Sequence, residues 1–97
     1  MIGFINKITA QTGQRDEVMR LILQGSSNMA GCHSYIVAAD AEKPDDIWIT
    51  EVWEDAEAHQ ASLKNPAVRQ SIEQAMPMIA GFESVATTVP SSGARSG

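Results

Sequence analysis

The sequence is poor in the groups that brace small domains by covalent or metal means. Cys32 is the only cysteine among 97 residues, so no disulfide can close within the chain. His33 and His59 are the only histidines, and no Cys/His spacing suits a structural zinc. That usage points to a reducing, cytosolic compartment. No apolar run approaches the roughly 18 residues of a membrane span. The stretch MIGFINKIT has no signal-peptide pattern and reads as a strand from its second residue. Positive charge is scarce as well: seven Lys and Arg face twelve Asp and Glu, a net charge of −5. Without a basic stripe, nucleic-acid binding is not expected. P-loop, dinucleotide fingerprint and serine nucleophile elbow are all missing. A chain this short forms one domain with a thin stability margin, for which oligomerisation is the remedy left.

What is present is organised around Asp46–His59, DIWITEVWEDAEAH. Ile47, Trp48, Ile49, Thr50, Val52 and Trp53 favour a strand. Asp55 is a good helix N-cap, and Glu57 and His59 follow in the first turns. Eight of the twelve acids lie between Asp40 and Glu57. Most of that cluster reads as a solvated loop and helix start. Glu51 stands apart, because it interrupts an apolar alternation.

The other elements follow from periodicity. Ile2–Ala10 alternates, with Ile2, Phe4, Asn6, Ile8 and Ala10 on one face and Gly3, Ile5, Lys7 and Thr9 on the other. Arg15–Ser27 reads as a helix with Asp16 and Glu17 suiting its dipole. Cys32–Ala39 is a second strand, with Tyr35 and Val37 on one face. Asp40–Asp46 is a loop, Ile47–Trp53 a third strand, and Asp55 to about Lys64 a helix. Asn65-Pro66 starts another helix, with Val68, Ile72, Ala75, Met76 and Ile79 as a buried stripe. Pro77 kinks or ends it, Gly81 precedes a last strand over Phe82–Val89, and Pro90–Gly97 is a small, polar, disordered tail. Met29–Ser34 (MAGCHS) echoes Ile79–Ser84 (IAGFES), each leaving a helix for a strand.

This β-α-β-β-α-β order and its echo imply an α+β, ferredoxin-like sandwich over residues 1–89. Its four-stranded sheet has the order 4-1-3-2, with strands one and three side by side and parallel. Aligning those two strands pairs Asn6 with Glu51 on one face. The other face carries Ile5, Trp48 and Val52, apolar residues that a lone monomer would expose, so a homodimer packed through that face is expected. The candidate catalytic groups are Asn6 as a hydrogen-bond donor and Glu51 or His59 as a base. Each has an ordinary structural alternative: a satisfied strand amide, an exposed or interface carboxylate, a helix-surface histidine. Phe4, Tyr35, Trp53 and Met76 would be core or the wall of an aromatic pocket.

Together the segments FINKITAQTGQRDE, GCHSYIVAAD, ITEVWEDAEAHQASL, NPAV and IAGFES resemble the antibiotic biosynthesis monooxygenase family, within the dimeric α/β-barrel superfamily. The likeness covers roughly Met1–Val89. It implies a ferredoxin-like monomer that dimerises into an α/β barrel. It also implies an oxygenase that needs no metal or bound flavin and oxidises a small phenolic or quinol-type aromatic with dioxygen. Asn6 matches a strand-one asparagine that some relatives place in the pocket. Ser62 falls where haem-degrading relatives carry a tryptophan and quinol-type relatives a histidine, which makes it a candidate substrate contact. Ile72 and Ala67 stand where those two branches have further histidines, so haem degradation is disfavoured. A non-enzymatic barrel that binds a small apolar metabolite is the alternative, and an isomerase or cyclase a third.

Overall fold

A computed structural model of the protein describes residues 1–91. The elements are β1 (Ile2–Ala10), α1 (Arg15–Gly25), β2 (Cys32–Ala39), β3 (Asp46–Trp53), α2 (Ala56–Ser62), α3 (Pro66–Ala75) and β4 (Ile79–Thr88), with a 3₁₀ turn at Met76–Met78 before β4. The strands form one sheet in the order β2-β3-β1-β4. The α+β ferredoxin-like architecture is therefore the one expected. Residues 92–97 of the expected tail lie outside the described residues. No helix among those described is long and apolar enough to cross a membrane.

One relation differs. β1 and β3 are antiparallel, pairing Phe4 with Glu51 and Asn6 with Ile49. The reason is topological. A crossover through α1 makes β2 run parallel to β1, and the hairpin after β2 then reverses the chain, so β3 enters between them in the opposite sense. Asn6 and Glu51 remain on one face, but as diagonal neighbours rather than a direct pair. Diagonal neighbours are still within reach of long side chains.

The helix starts follow their caps. The Asp55 carboxylate accepts the Ala58 N–H at 2.8 Å, and the Asn65 carbonyl accepts the Ala67 N–H at 2.9 Å with Pro66 in the first turn of α3. The C-terminal limits moved inward. α1 stops at Gly25, where the Ser26 N–H turns back to the carbonyls of Ile22 and Leu23. α3 stops at Ala75, because Pro77 cannot continue the ladder. Ile79, expected in the helical stripe, instead opens β4 opposite Ala10, and Gly81 lies inside that strand opposite Thr9. Met76 and Ile72 are exposed rather than buried.

Ile8, Ala10, Val18, Ile47 and Ile49 form the buried core between the sheet and α1, with Ile22, Tyr35, Val37 and Ile79 packed around them. β4 carries a bulge: Ile5 pairs with Ala86 but Asn6 with Ser84, leaving Val85 as the extra residue. At the β2–β3 corner Asp40 accepts the Trp48 indole N–H at 2.7 Å and two loop N–H groups at 2.9 Å. The Trp48 bond, with the backbone bonds behind it, pulls the Asp40 carboxyl down to about 2.

α1 and α3 meet through small residues. A Cβ on Gly25 would overlap the Ser71 hydroxyl and sit 2.7 Å from the Ser71 Cβ and 3.1 Å from the Ala67 carbonyl oxygen. Replacing a helical glycine by alanine ordinarily gains up to about 1 kcal/mol, whereas forcing a methyl into a filled contact costs about 1–3 kcal/mol. Crowding against α3 backbone decides the sign. G25A is expected to lower stability by about 1–2 kcal/mol, read as a lower urea midpoint at unchanged slope. A midpoint at or above the parent value would show that the helices separate without cost.

Candidate functional site

The strand pleat sets the site. Glu51 and Trp53 lie two residues apart on β3, so both point to the helix side of the sheet. They are 6% and 1% exposed. The buried Trp53 N–H needs an acceptor and the buried Glu51 needs donors. Each serves the other: the indole Nε1 donates to Glu51 Oε1 at 2.8 Å. From β1 the Asn6 Nδ2 donates to the second oxygen, Oε2, at 3.2 Å. Both carboxylate oxygens are thus held, and Asn6 keeps one N–H and its carbonyl free of this bond.

His59 comes from α2, one turn beyond the Asp55 cap. Its ring lies 4.3 Å from the Phe4 ring centroid at a 35° tilt, and 5.4 Å from Trp53 edge to face. Its Nε2 is 3.8 Å from Glu51 Oε1. That is too long for a hydrogen bond but close enough for an ion pair once the imidazole is protonated. The Ser62 hydroxyl donates back to the His59 carbonyl at 2.6 Å, so its proton is committed to the helix.

These groups line a cavity of about 430 Å³ between the sheet, α1, α2 and α3. This is the size range of small-molecule sites. Phe4, Asn6, Tyr35, Glu51, Trp53, His59 and Ser62 all line it. Met76 does not: it is 58% exposed in the 3₁₀ turn, on the same helical row as the exposed Ile72, because α3 turns Ser71 and Ala75 inward instead. The α1 and α3 walls, including Ile22, Gly25, Ser71 and Ile72, escaped the sequence reading. The apolar spacing of α3 is visible in the sequence, but the Gly25–Ser71 approach that sets the separation of the two helices is a tertiary fact with no local signature. Phe82, Ser84 and Thr87 of β4 complete the wall. Among the described residues no group of three or more His, Cys, Asp or Glu side chains could hold a metal ion.

Tyr35 pairs with Glu51 across β2 and β3. Burial, and after it the negative charge of Glu51, push its hydroxyl well above the usual tyrosine range. It is therefore a firm proton holder, suited to donate a hydrogen bond and unsuited to act as a base. Burial likewise raises the Cys32 thiol, which lies outside the cavity wall and is a poor nucleophile.

Tyr35 is the only tyrosine in the chain, so its titration can be read directly. The native protein is expected to show almost no tyrosinate absorbance at about pH 10–11, where an ordinary tyrosine is at least half ionised. In urea the same signal should titrate normally. Because the folded state holds this proton more tightly, stability is present in full below the ordinary tyrosine pKa and declines as pH rises above about 10. A native titration midpoint near the free value would contradict the partly buried placement of Tyr35 beside Glu51.

Comparison with known proteins bears on the family and the fold. The sequence model of the antibiotic biosynthesis monooxygenase family matches residues 1–74. No curated protein matches the chain. Among solved structures, a protein named as a candidate antibiotic biosynthesis monooxygenase from Chloroflexus aurantiacus J-10-fl is 46% identical. It superposes with a TM-score of 0.91, covering 95% of this chain and 94% of that one. A similarly named protein from Deinococcus radiodurans shares 21% identity at a TM-score of 0.78, over 96% of this chain and 95% of its own. One from Nitrosomonas europaea shares 12% at 0.83, over 93% and 98%, and at that distance both show the fold alone. Fold, matched residues and the close relative together place this chain in the antibiotic biosynthesis monooxygenase family.

Proposed function

We propose that the protein is a monooxygenase for a small phenolic or quinol-type aromatic, using dioxygen without a bound cofactor. The observation that carries this reading is the buried Glu51 carboxylate with His59 beside it, at the floor of an apolar cavity. His59 is the base. It takes the phenol proton, and the resulting imidazolium is stabilised by Glu51 at 3.8 Å. Proton transfer then leaves the net charge inside the cavity unchanged. The electron-rich phenolate passes one electron to dioxygen, and the radical pair combines at an open ring carbon to give a peroxide. Its O–O bond breaks. One oxygen stays as a new carbonyl, and the other leaves as water with the phenolic and ring hydrogens. A phenol with a free para position plus O₂ thus gives a quinone plus H₂O. The free Asn6 N–H and the Tyr35 hydroxyl are the donors for developing oxyanion charge. The apolar walls exclude the water that would quench the intermediates.

Oxygen uptake with a panel of phenols, 1-naphthols and anthrones whose para position is free tests this. Uptake should match quinone formation one to one, with no added reductant. H59Q should lower kcat by about 10²–10⁴-fold, the usual weight of a general base. Uptake no faster than the protein-free rate across the whole panel would sink the reading. Ligand binding without turnover would instead favour a barrel that holds an apolar metabolite.

The same proposal includes a homodimer joined by the open sheet face. Ile5, Ile36, Ala38, Trp48 and Val52 lie on the side away from the helices, and Ile36 is 56% exposed. An apolar sheet face of this kind marks a partner surface. Light scattering should give about twice the 10.4 kDa chain mass. I36K should shift the protein toward the single-chain mass, and a parent protein already at that mass would refute the dimer.

A further inference from the structure

We infer that the cavity selects uncharged phenolic aromatics and rejects their carboxylated counterparts, with Glu51 as the discriminating group. This deepens the oxygenase reading and rests on the same cavity, but it concerns binding and not turnover.

The argument is one of charge placement. Glu51 is the acidic side chain of the cavity wall, His59 its histidine, and no lysine or arginine among the described residues lines it. Lys43, Lys64 and Arg69 are exposed and do not line it, and the other three are engaged elsewhere. Lys7 lies on the opposite face of the sheet, 3.5 Å from Glu83. Arg15 donates to the carbonyls of Asp40 and Lys43. Arg20 donates to Glu17 on the outer surface of α1. His59 cannot serve as a free cation for an incoming anion, because protonating it creates the partner of Glu51. A ligand carboxylate would therefore share a largely apolar enclosure with a buried like charge and no counter-ion. Attraction and repulsion between charges are strongest in such low-dielectric surroundings. A chain net charge of −5 acts in the same direction at longer range.

The open side of the cavity agrees with this. Leu63, Ile72 and Phe82 line it while exposed to solvent, Phe82 at 65%. The nearby polar groups from β4 are the neutral hydroxyls of Ser84 and Thr87. A ligand that puts its hydroxyl at the Glu51–His59 floor would lay its remaining body against this apolar rim. A carboxylate on that body gains no partner there.

Three matched compounds test the inference under anaerobic conditions, by titration calorimetry supported by quenching of tryptophan fluorescence. They are 2-naphthol, 6-hydroxy-2-naphthoate and the methyl ester of that acid. The acid is expected to bind at least about tenfold more weakly than 2-naphthol, a difference of about 1.4 kcal/mol. The ester, which is no smaller than the acid, should recover most of that loss. E51Q should narrow the gap between acid and ester. An acid that binds as well as 2-naphthol would overturn the inference. So would an ester as weak as the acid, since size and not charge would then be responsible. Failure of all three to bind would overturn it too. If the neutral compounds bind selectively yet no phenol consumes oxygen, the charge selectivity stands and the oxygenase reading falls.

Discussion

A buried carboxylate is costly, and the helix-facing side of this sheet is arranged around that cost. Glu51 lies where a strand of this composition would ordinarily carry a valine or isoleucine. It stays there because the indole of Trp53 and the amide of Asn6 each donate to one of its oxygens. Removing either donor leaves a charge short of a partner in a poorly solvated place, a penalty larger than the net worth of the bond itself. The dependence runs both ways, since the fully buried indole has its polar atom satisfied only by the same carboxylate. Two potential liabilities of the sequence thus become one well-defined arrangement. That arrangement fixes the edge against which the His59 ring is stacked.

The rest of the fold serves that arrangement at short range. The pleat supplies the direction of Glu51 and Trp53, and the Asp55 cap starts the helix that delivers His59. The small residues at the α1–α3 contact fix how far apart the cavity walls stand. A domain of this size has little core to spare. Here much of the helix-facing side of the sheet is wall and not filled interior. The open face of the sheet is the natural place for a second chain to supply the missing burial, which ties assembly to stability in the proposed dimer.

Local pattern was enough to order the elements. Strand alternation and the Asp55 and Asn65 caps are short-range signals, and the α+β ferredoxin-like topology follows from the order of the elements they mark. Parity alone put Asn6, Glu51 and Trp53 on one face. Strand direction was misread, because parity is blind to it: parallel and antiparallel pairings of β1 and β3 both keep Asn6 near Glu51. Met76 and Ile79 were misplaced for a related reason. Pro77 ends the helix before the period reaches Ile79, and Met76 follows Ile72 on a row that α3 leaves exposed while burying Ser71 and Ala75. The distance between the helix walls of the cavity could not be read, since separation between α1 and α3 depends on two residues 46 positions apart, Gly25 and Ser71.

The bulge at Val85 has a consequence for how this site could diversify. Below it Phe82 and Ser84 face the cavity, and beyond it Thr87 takes the place opposite Phe4 that strict alternation would give to Ala86. One inserted residue in the backbone, with no change of side-chain identity, therefore decides whether a hydroxyl or a methyl borders the aromatic floor. Relatives that gain or lose a residue at this point would differ in rim polarity while keeping Asn6, Glu51 and Trp53 untouched. In such a lineage insertion and deletion, more than point substitution, would be the quickest route to a different ligand.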